Sequence, residues 1–133
     1  KTYSVIRNEI DVMILAHHGA DNGFTTSSFL RGTHPRVAIA SADYANKFAH
    51  PKQKIRDLLH KNEIKLFTTK TGDVVIFSLG PHTGKYRVVN LISGSSEVSS
   101  SYDFLAKKRK YLNVNQDTIR ARSQKSKKAP KRK

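Results

Sequence analysis

Asp11-Val12-Met13-Ile14-Leu15-Ala16-His17-His18-Gly19 places five apolar residues directly in front of two adjacent imidazoles and a glycine. Apolar side chains at both odd and even positions from Val12 to Ala16 indicate a strand buried on both faces. Neutral imidazole is the commonest metal ligand, and strand ends are rigid places from which a scaffold presents chemistry. Successive strand residues point to opposite faces, so one of His17 and His18 is expected to face a site. The other would pack, or donate a hydrogen bond from behind. The alternative is a pair of partly buried histidines that shape a turn.

Working outward, His17 to Thr26 is expected to be a loop, broken by Gly19 and Asp21-Asn22-Gly23. Ser27 or Ser28 is expected to cap a short helix stopped by Gly32. Val37-Ala38-Ile39-Ala40 reads as a second buried strand. Pro51 opens a helix in which Ile55, Leu58 and Leu59 share one face while Lys52, Lys54, Arg56 and Lys61 face out. Ile64 to Thr68 and Val74 to Leu79, joined by Thr69 to Asp73, are expected to form an antiparallel hairpin. Tyr86 to Ile92 has strand propensity. The alternation of strands and helices predicts an α/β layered domain.

Beyond Ile92 the composition changes. Residues 93–101 hold six serines and a glycine and read as a flexible linker. Residues 102–133 read as a basic tail, with a short helix expected over Tyr102 to Tyr111 and a disordered arm from Ser123. The whole chain carries a formal +15. Residues 107–133 contribute twelve Lys and Arg against Asp117, a net +11, and the rest of the chain a net +4. Such a field favours polyanions, nucleic acid above all. Tyr102, Phe104 and Tyr111 flank the first basic cluster and are candidates for stacking on unpaired bases; a solvated extension that aids solubility is the alternative.

The chain has no cysteine, which excludes disulfides and thiolate metal sites and leaves His, Asp and Glu as metal ligands. The longest apolar run falls far short of the roughly 20 residues that span a bilayer. With no secretory signal evident, a cytoplasmic protein is expected. No phosphate-binding glycine loop, nucleophile elbow or paired carboxylates for glycoside chemistry is evident. His50-Pro51 stands at a helix start, where an anion would be welcome and where His50 could exchange a proton with a phosphoester oxygen or merely cap the helix. Asp21 and Asn22 could bond a ligand histidine or a substrate, or simply form an Asx-turn. His34, His60 and His82 are not assigned a chemical role.

The apolar strand ending in His17-His18-Gly19, then Asp21-Asn22, Ser41, Asn46, His50-Pro51 and Thr69 to Asp73, resembles the second half of a metallo-β-lactamase-fold hydrolase. The nearest branch is the soluble domain of the DNA-uptake competence channel. The resemblance covers about Asp11 to Leu79 and departs from the family at Ala20, where serine is usual, and at Ala49, where glycine is usual. It implies the C-terminal half of an αββα sandwich over residues 1–92. It also implies a divalent metal, zinc or manganese, with His17 and His18 as metal-site residues and His50 and Asp21 as catalytic candidates. The activity implied is metal-dependent hydrolysis of a phosphodiester in nucleic acid. The other ligands, including a His-x-His-x-Asp-His segment, belong to an N-terminal half that this chain does not carry. The chain alone is therefore expected to be inactive, to need that half from a longer polypeptide or a separate chain, and to self-associate through unpaired apolar surface. A non-catalytic nucleic-acid-binding or scaffold module is the alternative.

Overall fold

The structure is a computed structural model that describes residues 10–81 and 83–107. His82, Tyr111 and the basic arm after Lys107 lie outside the described residues, as do the expectations that fall on them. Strand β1 (Val12–Ile14) is followed by a 3₁₀ turn at Ala16–Gly19, helix α1 (Ser27–Thr33), strand β2 (Val37–Ala40), helix α2 (Gln53–Lys61) and strand β3 (Lys65–Thr68). Strands β4 (Val74–Ser78), β5 (Lys85–Leu91) and β6 (Val98–Leu105) complete it. The chain is thus α/β, with two α-helices and two three-stranded sheets among the described residues.

The first sheet has the order β1-β2-β3 and is parallel throughout, with Val12 beside Val37 and Val37 beside Lys65. Each crossover carries one helix, as parallel pairing demands. β2 is buried along its whole length because both its faces are covered. Ala38 and Ala40 meet Leu15, Leu30, Ile55, Leu59 and Ile64, which is the helical side. Val37 and Ile39 meet Phe67 and Val88, the side of the second sheet. The layers therefore run helices, parallel sheet, antiparallel sheet. The pattern in α2 does what its spacing promised: Ile55 and Leu59 are buried in the first of these clusters.

Several expectations are corrected. α1 is capped by Thr26, whose Oγ1 accepts from the Phe29 amide at 3.1 Å, rather than by Ser27 or Ser28, and it runs through Gly32 to end at His34 in a left-handed conformation. The expected hairpin of Ile64–Thr68 with Val74–Leu79 does not form: β3 extends the parallel sheet, while β4 pairs antiparallel with β5. Thr69 to Asp73 passes between the sheets, and Gly72 allows it. A Cβ at Gly72 would sit 1.9 Å from the Leu91 carbonyl oxygen.

The serine-rich stretch is not a free linker along its length. Val98 to Ser101 begins β6, which pairs with β5 from Val98–Leu91 to Leu105–Lys85. Backbone pairing holds it in spite of low side-chain propensity, helped by half-buried Phe104 packing against the core and Tyr102 meeting Phe67. Both aromatics make ring contacts within the domain, while Tyr102 stays 43% exposed. Phe104 stacks on Tyr86 with ring centres 5.4 Å apart, and Tyr102 meets Phe67 edge-on at 5.9 Å with the Lys65 ammonium 3.7 Å from its centre. The expected helix over Tyr102 to Tyr111 is likewise replaced by strand as far as Leu105.

Candidate functional site

The C-terminal ends of three parallel strands meet at one edge of the first sheet, which in open α/β sheets is where ligands bind. His17 and His18 follow β1, Ser41 and Ala42 follow β2, and Thr69 follows β3. A cleft of about 480 Å³ opens there, lined by His18, Ser41, Asp43, Asn46, Phe48, His50 and Thr69 among others. Thr69 fastens two of the strand ends, its Oγ1 accepting from the Ala42 amide at 3.0 Å and donating to the Ala42 carbonyl at 3.2 Å.

His17 and His18 do not alternate as strand residues. Both have left-handed backbone angles, φ 49° and 60°, inside the 3₁₀ turn. Positive φ abolishes the two-residue alternation, so both rings turn toward the same neighbour, His50. Ring centres lie 5.8 Å apart for His17–His50, 6.3 Å for His18–His50 and 6.1 Å for His17–His18. The expectation that one of the pair packs away is therefore corrected.

Gly19 brings the two histidine-bearing segments together. Its φ is +86°, and a Cβ would lie 2.6 Å from Pro51 Cβ. Its carbonyl accepts from the Lys52 amide at 3.0 Å, tying the turn to the entrance of α2. Asn46 holds the other side. Its Oδ1 accepts from the His50 amide at 2.7 Å, and its Nδ2 donates to the His50 carbonyl at 3.0 Å and the Asp43 carbonyl at 2.7 Å. His50 is buried and joined to Pro51 through a cis peptide bond.

The hydrogen bonds assign the rings different characters. His18 Nδ1–H donates to the Ser41 carbonyl, which leaves Nε2 with a free lone pair. Asn22 Nδ2 donates to His17 Nδ1 at 3.1 Å, its amide oriented by Oδ1 accepting from the Phe24 amide at 3.4 Å. His17 therefore carries its proton on Nε2. His50 has its pKa lowered, first by burial and then by Lys52, His17 and His18, which favours its neutral form. Asp21 is placed differently from its neighbour: its carboxylate pairs with Lys54 of α2 at 3.0 Å, while Asn22 reaches His17.

The sequence reading passed over Thr69 and Phe48 as site residues. Phe48 stacks on His50 with centres 5.6 Å apart and planes 20° apart. Thr69 was marked only as the start of the 69–73 stretch, and a phenylalanine on a polar loop carries no local sign of a site; the topology brings both to the cleft. His34 and His60 line a separate cavity of about 730 Å³ beside Arg36, Lys65 and Lys107, where the strands begin.

Among the described residues no group of three His, Asp or Glu side chains is placed to hold a metal ion. The three imidazoles, with the Nδ1 atoms of His17 and His18 committed to Asn22 and Ser41, do not close such a site on their own.

The chain is similar to Competence protein ComA of Neisseria gonorrhoeae, 35% identical over 69 residues, which is 52% of this chain and 10% of that protein. It is also similar to ComE operon protein 3 of Bacillus subtilis (strain 168), 31% identical over 78 residues, 59% of this chain and 10% of that protein. The chain thus spans about a tenth of the length of these curated relatives. No family model matches, and no solved structure matches. No helix among the described residues is long and apolar enough to cross a membrane. The likeness that can be stated is to competence proteins, over a small part of each.

Proposed function

We propose that this chain is part of a metal-dependent hydrolase of the metallo-β-lactamase kind, a phosphodiesterase acting on nucleic acid, and that the cleft at the ends of β1, β2 and β3 is its share of the active site. The convergence of His17, His18 and His50, from segments more than thirty residues apart, carries this reading. The layer order helices, sheet, sheet supports it as three of the four layers of an αββα sandwich. The competence relatives support nucleic acid as the substrate class, and so does the chain's formal +15.

The chain's own groups have definable tasks. His18 Nε2 offers a lone pair to the cleft. Neutral His50 can accept a proton or return one to a leaving oxygen. The start of α2 just beyond it has no acid in its first turn, which suits an anionic substrate. The divalent cation of this proposal, zinc or manganese, would draw His18 and a tautomerised His17 together with ligands supplied from outside the described residues.

The test joins this chain to a segment bearing His-x-His-x-Asp-His and measures bound zinc and manganese together with cleavage of labelled DNA. His18→Ala is expected to empty the site and slow cleavage roughly a hundredfold or more. DNA binding with neither metal uptake nor cleavage in the unsubstituted polypeptide overturns the hydrolase reading in favour of the binding module.

A further inference from the structure

We infer that Phe48 is a base-stacking platform that seats one unpaired nucleobase at the mouth of the histidine cleft, with Lys47 on the adjoining phosphate. The inference rests on the proposed function and narrows its substrate to single-stranded nucleic acid.

Phe48 is 57% exposed and lines the cleft. Isolated exposed apolar residues are ordinary on protein surfaces, but the surroundings of this one are not. Its ring lies 20° from parallel to His50, and His50 lies 23° from parallel to His18. The three rings form a stepped series with exposed Phe48 at one end, buried His50 in the middle and His18 at the other. The backbone beneath is held: Asn46 grips His50 at both its amide and its carbonyl, and Ala49 between the two rings has a left-handed φ of 53°. A platform fixed in this way loses little freedom on binding.

Lys47 supplies the second half of the recognition. Its ammonium lies 5.1 Å from the centre of the Phe48 ring. Such a contact at an exposed ring is weak and is given up readily to a planar ligand. The displaced ammonium remains next to the ring, where the phosphate of a stacked nucleotide would lie. Further aromatics stand on the same two loops, Tyr44 at 73% exposed and Phe24 at 69%. Aromatic faces interleaved with cations match the pattern by which proteins hold single strands without reading sequence. Bases within a duplex have both faces already stacked and cannot use such a platform without melting.

The test is binding of the full 133-residue chain to a short labelled single strand, measured by fluorescence anisotropy at fixed salt with chelator present so that no cleavage interferes. Comparison ligands are the same strand with abasic sites and the corresponding duplex. Phe48→Ala is expected to weaken binding to the natural strand about tenfold and to leave the abasic strand and the duplex unchanged. Phe48→Trp is expected to hold or tighten binding. Equal affinity of Phe48→Ala and the unsubstituted chain for the natural strand overturns the inference, as does an equal loss on all three ligands. Failure of the unsubstituted chain to bind any of them overturns the inference and the proposed function together. Intact binding that ignores the bases overturns the inference alone.

Discussion

Ala49 takes the backbone through φ 53° immediately before His50, in a region where an L side chain is crowded against its own carbonyl. Glycine adopts this angle without such crowding. Replacing Ala49 by glycine is expected to stabilise the fold by about 0.5–1 kcal/mol, the relief of strain exceeding the added freedom of the unfolded chain. Urea denaturation of the two chains checks this, with a midpoint below that of the parent counting against it. His17, His18 and His34 are also left-handed. None of these angles was legible, because histidine gives no local sign of positive φ in the way glycine does. The candidate histidines themselves were legible from their setting, whereas their common orientation toward His50 was not.

At the scale of elements, the buried strands and α2 could be read from apolar spacing, since burial on one or two faces leaves a period in the sequence. Pairing partners could not. β3 and β4 are separated by a short turn-like stretch that suits a hairpin, yet Leu66 and Phe67 are drawn into the parallel sheet and Val74 into the facing one. The junction of the 3₁₀ turn with α2 is the contact on which the cleft depends. Gly19→Ala would thrust a methyl group into Pro51 at a positive φ. A loss of about 2–3 kcal/mol is expected, combining overpacking with backbone strain. Chemical denaturation measures it, and an unchanged unfolding midpoint would show that the turn and α2 can part without cost.

Across the whole molecule, Asp11 links parts remote in sequence. Its carboxylate accepts from the Lys107 amide at 3.3 Å and the Tyr86 hydroxyl at 3.4 Å, and it pairs with Arg36 at 3.4 Å. Burial first, and then Asp11, push the Tyr86 pKa well above the ordinary tyrosine range. The folded state thus retains a proton that the unfolded chain releases near pH 10. The stability so gained is complete below that pH and is lost as the pH rises beyond it. Melting temperatures of the parent chain are expected to fall more steeply above pH 10 than those of Tyr86→Phe. Parallel curves for the two would show that this hydroxyl has no part in alkaline unfolding.

The Gly19–Pro51 approach has one more result. His18 and His50 are distant along the chain and become neighbours only once the helical layer has closed over the parallel strands. The imidazole trio is therefore complete only where the turn after β1 meets the entrance of α2.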